Sequence, residues 1–196
     1  MNWNVPNILT VLRIALIPVF VGIFYLPHNL YALGAPPTHT LNVAAAAVFA
    51  VASFTDWLDG WWARKFNQSS SFGAFLDPVA DKLMVAAALI VLVEFSRVGA
   101  IVSLIIVGRE IVISALREWM ASVGKRSNVA VAMIGKIKTA AQMLAILLLL
   151  YYDNIGSFNT QLVGHVLIVI AAFLTLVSMA YYLKAAWPII KDSISK

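Results

Sequence analysis

Apolar residues run almost without interruption over six stretches, roughly 8–26, 41–58, 78–96, 99–119, 132–152 and 162–183. A helix needs about 20 mostly apolar residues to cross a bilayer, so the pattern predicts an all-α integral membrane protein with six transmembrane helices. The breaks fall where turn formers are dense: Leu26-Pro27-His28-Asn29 with Gly34-Ala35-Pro36-Pro37, then Asn67-Gln68-Ser69-Ser70-Ser71, then Asp153-Asn154-Ile155-Gly156-Ser157. The first stretch begins at Ile8, behind Pro6-Asn7, with no charged leader and no small-residue cleavage site, so it reads as a retained span and not a signal peptide. No internal repeat or low-complexity linker divides the chain, which predicts a single domain over 1–196.

Composition excludes the soluble alternative. The chain of 196 residues is 62% hydrophobic and 12% charged, with a mean hydropathy of +0.89. Soluble domains are about half apolar and a quarter charged, and a chain this short cannot bury so much apolar surface in a water-facing globule. The count of 0 cysteines excludes disulfides, a thiol nucleophile and a thiolate metal site, leaving oxygen or imidazole for any metal.

The net charge of +5 raises the question of an anionic partner. With the N-terminus in the cytoplasm, six spans place both termini there and the loops near 27–40, 94–98 and 153–161 outside. Of the 14 lysines and arginines, Arg97 alone then lies outside. Arg13, Arg64, Lys65, Lys82, Arg109, Arg117, Lys125, Arg126, Lys136, Lys138, Lys184, Lys191 and Lys196 fall in inner loops or inner helix halves. This is the positive-inside pattern, and it assigns the basic excess to topology and an anionic phospholipid bilayer rather than to nucleic acid. Trp3, Trp57, Trp61, Trp62, Trp119 and Trp187 sit near inner ends, as an interfacial aromatic belt requires.

The chemistry is expected where charge interrupts the apolar pattern. Asp56 and Asp59 are three residues apart and Asp77 and Asp81 four apart, so on helices each pair shares a face. The segment Gly60 to Leu76 is short enough to return the chain antiparallel and bring the two faces together. Charges at membrane depth are costly, and four repelling carboxylates in one pocket call for divalent cations. With hard oxygen donors and no nearby histidine, magnesium or manganese is expected in preference to zinc. Gly60, Ala63 and Gly73 leave room for a ligand beside these faces, and Arg64 offers a cation for a phosphate. Arg109 interrupts an otherwise apolar span, and Arg117, Lys136 and Lys138 lie with it at the inner ends of the fourth and fifth helices. A pair with Glu110 is the competing structural explanation for Arg109.

Asp56-x-x-Asp59-Gly60-x-x-Ala63-Arg64, eight residues, then Gly73-x-x-x-Asp77-x-x-x-Asp81, resembles the full motif of the CDP-alcohol phosphatidyltransferases, without departure at any fixed position. Further segments resemble the bacterial branch of that family that uses sn-glycerol 3-phosphate as acceptor. They are Asn7 to Arg13, Thr55 to Lys82, Gly108 to Ile111, Ser114 to Met120, and Gly124 to Arg126 through Gly135 to Thr139.

The resemblance implies the CDP-alcohol phosphatidyltransferase fold, in a homodimer of the bacterial cytoplasmic (inner) membrane whose pocket faces the cytoplasm and holds two divalent cations. It implies Asp56, Asp59, Asp77 and Asp81 as metal ligands, with Asp81 also the base for the acceptor hydroxyl. Gly60, Ala63, Arg64 and Gly73, with Asn7, Thr10 and Arg13, are implied to contact CDP-diacylglycerol. The reaction expected is phosphatidyl transfer to glycerol 3-phosphate with release of CMP, and the phosphate of that acceptor is expected on Arg109, Arg117, Lys136 and Lys138. Serine, inositol phosphate or phosphatidylglycerol remain open as alternative acceptors. A transporter is disfavoured, since the acids cluster at one face without the paired broken helices or repeats typical of that class.

Overall fold

Backbone polar groups in a long apolar run have no water to turn to in a bilayer, and a helix satisfies them within the segment. In the computed structural model, residues 5–25, 38–66, 71–123 and 132–194 are described. They form α1 (Val5–Tyr25), α2 (His39–Phe66), α3 (Ser71–Glu94), α4 (Ala100–Ser122), α5 (Ala132–Tyr151) and α6 (Thr160–Ile194). Each coincides with one of the six apolar stretches. Three contain segments long and apolar enough to cross a membrane: Asn7–Tyr25, His39–Trp62 and Thr160–Pro188. In α3 and α4, Asp77, Asp81 and Lys82, and Arg109, Glu110, Arg117 and Glu118, interrupt the apolar length.

The helices outrun the apolar stretches where polar residues continue the same turns. α2 runs on past residue 58 to Phe66, carrying Asp59 and Gly60, and α3 begins at Ser71, so that Gly73 and Asp77 are helical. Apolarity marks the lipid-facing length and not the end of the hydrogen-bonded ladder.

α1 packs against both α2 and α3, which touch each other much less, while α5 packs extensively on α6 and α4 joins α6. The core between them is built from Phe20, Phe24, Phe49, Leu89, Leu92, Ile146 and Leu149. α5 and α6 approach closely at Gly164, where an added Cβ would stand 2.8 Å from Leu149 Cγ.

One end of the bundle is clasped by polar contacts. Arg97 follows α3 and is 3% exposed. Its Nη1 donates to the carbonyls of Leu149 (3.2 Å) and Leu150 (3.0 Å), which end α5, and its Nη2 donates to Asn42 Oδ1 on α2 at 2.7 Å. Asn42 Nδ2 in turn donates to Asp153 (3.2 Å), which also meets His39 Nδ1 at 2.9 Å. The guanidinium lies 4.2 Å from the Tyr152 ring centroid. Two non-glycine residues with left-handed backbone, Ser96 (φ 56°) and Tyr152 (φ 62°), terminate α3 and α5 beside it. That conformation costs roughly 1–2 kcal/mol per residue, and the contacts made by Arg97 offset it.

Arg97→Met is therefore expected to lower stability by about 3 kcal/mol, because it strands buried acceptors on two helices. Thermal unfolding in detergent measures this, and an unchanged melting temperature refutes the clasp. Asp153 gives the clasp a pH dependence. Partial burial raises its carboxyl, but hydrogen bonds from His39 and Asn42 and the charges of His39 and Arg97 outweigh that and hold it below the ordinary 3.8. A depressed carboxyl stabilises the fold above its unfolded value and loses that contribution as pH falls through the folded value. The parent should melt above Asp153→Asn at neutral pH, with the gap closing below about pH 4.

Candidate active site

Thr10 and Arg13 are three residues apart on α1 and share the face that enters the space between α2 and α3. Arg13 is 1% exposed. Its Nη1 donates to Asp56 Oδ1 at 2.9 Å and to Asp81, while Nη2 donates to the buried Asp59. The Thr10 hydroxyl donates to Asp77. The four aspartates are thus gathered, as their spacing predicts, and the two faces meet: Asp56 and Asp81 lie within hydrogen-bonding reach of each other. α1 packs against both helices and supplies groups that hold the carboxylates. A guanidinium buried alone would cost several kcal/mol, and its planar fork suits several carboxylates at once.

Gly60 is half-buried next to Asp59 on α2, Gly73 is buried one turn before Asp77 on α3, and Asn7 is buried before Thr10 on α1. The side chains of Ala63, Arg64 and Lys136 lie outside the described residues, as do Lys125 and Arg126.

A cavity of about 350 Å3 opens beside the cluster. α2 and α3 contribute Asp56, Asp77 and Asp81 to its lining, and α4 and α5 contribute Arg109, Arg117 and Lys138. The two sets of residues singled out in the sequence therefore share one space. The pair anticipated between Arg109 and Glu110 is present at 3.1 Å, but Glu110 also accepts from Lys138, and Arg109 Nη2 donates to Ser178 on α6 at 3.0 Å. Glu110 thus serves as the shared counter-ion that orients Arg109 and Lys138. Arg117 is more exposed; it donates to the Tyr182 hydroxyl and lies over that ring, 4.8 Å from the centroid.

Glu110, Ser178 and Tyr182 were not anticipated in this role from sequence spacing. Only Glu110 carried a signal, as an acid inside an apolar run. By formal charge, the lining on this side of the cavity has Arg109, Arg117 and Lys138 against Glu110, and the other side has Asp56, Asp77 and Asp81 against Arg13 and Lys82, with Asp59 buried behind Arg13.

Residues 3–179 match the family described as CDP-alcohol phosphatidyltransferase. The chain belongs to the CDP-alcohol phosphatidyltransferase family. Among curated proteins it is similar to the CDP-diacylglycerol–glycerol-3-phosphate 3-phosphatidyltransferase of Shigella flexneri serotype 5b (strain 8401). The two are 50% identical over 188 residues, 95% of this chain and 96% of the relative. The protein of the same name from Escherichia coli (strain K12) shows the same identity and coverage. The family match spans every aspartate of the cluster and every cation of the cavity, and it ends within α6.

CDP-alcohol phosphatidyltransferases are in general divalent-metal dependent. Among the described residues no finished cage of three metal-binding side chains stands around one point, because three carboxylates turn onto Arg13. The donor set nonetheless fits: four carboxylates, no thiol and an excess of negative charge over the one guanidinium suit hard divalent cations. Arg13→Met removes the cation that these three carboxylates share among the described side chains. In chelator it should cost about 3–5 kcal/mol of stability. Added Mg2+ or Mn2+ should raise the melting temperature of Arg13→Met more than that of the parent; equal gains would show that the guanidinium does not balance this cluster.

Proposed function

We propose that the chain transfers the phosphatidyl group of CDP-diacylglycerol to the C1 hydroxyl of sn-glycerol 3-phosphate, forming phosphatidylglycerophosphate and CMP. The observation that carries this reading is the pairing, in one cavity, of an aspartate cluster with a surplus of cations. The relatives named for this reaction support it over nearly the full chain.

In this reading Asp56, Asp59, Asp77 and Asp81 hold two divalent cations, Mg2+ or Mn2+. When bound, these supply positive charge to the pyrophosphate and to the departing CMP. Phosphoryl transfer depends chiefly on positioning and electrostatics, and the side chains divide that work. Arg109, Arg117, Lys136 and Lys138 hold the acceptor's phosphate, whose charge near −2 suits a site with more cations than the single carboxylate of Glu110 balances. Gly60, Ala63 and Gly73 leave room for the nucleotide, with Arg64, Asn7, Thr10 and Arg13 on the donor's polar groups. The C1 oxygen forms a bond to the lipid-linked phosphorus as the bond from that phosphorus to the CMP oxygen breaks. The electron pair leaves with CMP, and the hydroxyl proton passes to Asp81. An aspartate is a weak base, sufficient if the proton moves late.

The same reading makes the protein a six-span enzyme of the bacterial inner membrane, with both termini and the cavity toward the cytoplasm. The bias of lysine and arginine toward one side supports that orientation. The homodimer is carried by family likeness alone. Serine has no phosphate and phosphatidylglycerol only a singly charged phosphodiester, so each gives the cation cluster less to hold than glycerol 3-phosphate does.

Purified protein with CDP-diacylglycerol and Mg2+ should release CMP on addition of glycerol 3-phosphate and not of serine, inositol phosphate or phosphatidylglycerol. Release with serine alone overturns the assignment. Asp81→Asn should lower turnover by roughly 10²–10⁴-fold while metal still stabilises the protein against heat; near-normal turnover removes Asp81 from its role as base.

A further inference from the structure

Buried polar atoms are nearly always hydrogen-bonded, so each one left over in a cavity marks what the cavity is built to receive. Among the described residues the buried side-chain atoms without a partner are Arg13 Nε, Ser103 Oγ, Arg109 Nε, Gln142 Oε1 and Thr175 Oγ1. Arg13, Arg109 and Gln142 line the cavity, whereas Ser103 and Thr175 do not. The two arginine atoms are donors and suit an anion. Gln142 Oε1 is the exception, an acceptor in a residue only 4% exposed. In this orientation of the carboxamide its partner must bring a hydrogen.

Gln142 lies on α5 one helical turn beyond Lys138, on the same face and about 6 Å further along the axis. Within the proposed reaction, the acceptor's phosphate is fully occupied with Arg109 and Lys138 and has no hydrogen to donate. The C1 hydroxyl gives its proton to Asp81. The ribose and cytosine donors belong with the small residues of α2 and α3. The C2 hydroxyl of glycerol 3-phosphate, next to the carbon that bears the phosphate ester, is the donor that remains.

We propose that Gln142 selects the acceptor by taking a hydrogen bond from its C2 hydroxyl, an inference that rests on the reaction proposed above. A site built to bond a substrate hydroxyl discriminates against an analogue lacking it, since the protein's acceptor is then stranded. Gln142 is thus a specificity residue. It has no part in the proton transfer.

The probe is 3-hydroxypropyl phosphate, which keeps the reacting hydroxyl and the phosphate but lacks the C2 hydroxyl. For the parent enzyme, kcat/KM should favour glycerol 3-phosphate by on the order of 10–100-fold. Gln142→Met, close in length and without the acceptor oxygen, should lose activity toward glycerol 3-phosphate and keep it toward the analogue, so the ratio falls near one. The KM for CDP-diacylglycerol should be unchanged. A parent that does not discriminate overturns the inference without recourse to any variant. So does a ratio that survives in Gln142→Met, an equal loss toward both acceptors, or an effect confined to CDP-diacylglycerol. If the parent uses neither phosphate but accepts another alcohol, the reaction itself is misassigned and this inference falls with it.

Discussion

Every charged group in this bundle has to be matched before it can be buried, and that constraint fixes where the helices meet. Arg13 illustrates it most directly. A single guanidinium on α1 engages carboxylates on α2 and α3, so the first helix packs against both of the helices that carry the motif. Van der Waals packing among apolar helices is permissive about partner and register, because lipid tails compete on equal terms with leucine. Charge pairing is not permissive. Glu110 applies the same rule on the other side of the cavity, tying α4 to α5 through Lys138.

The result is a cavity polarised by its own construction. Two helices bring acids and two bring bases, and neither group is fully neutralised by its neighbours. In the proposed reaction, a nucleoside diphosphate lipid and a small phosphorylated alcohol carry charges that such a space would sort, one toward cations held by the carboxylates and the other toward the basic side chains themselves. The shared carboxylate of Glu110 keeps Arg109 and Lys138 from repelling each other, at the cost of reducing the charge they present.

The helices were legible because apolar length is a local property, and so was the face shared by Asp56 and Asp59 or by Asp77 and Asp81, which follows from helical periodicity alone. The hold of α1 on the aspartates was not legible. Arg13 was implied only as a contact for the donor lipid, and which carboxylates it meets depends on how three helices pack. The extent of α2 to Phe66 escaped for a related reason, since hydropathy falls before the helix ends. Arg97 reads in sequence as an external loop cation; its burial against the end of α5 requires knowing that Leu149 and Leu150 leave their carbonyls there. Gln142 gave no sequence signal at all, being one amide among apolar neighbours.

The clasp around Arg97 has a mechanical meaning. It ties α2, α3 and α5 together at one end, while the aspartates lie near the other, with Asn42 and Asp56 separated by about 21 Å along α2. Arg13 fixes the opposite ends of the same two helices through Asp56, Asp59 and Asp81. The register of α2 against α3 is thus set twice, by one buried arginine at each end, and a slip of either helix strands a buried charge.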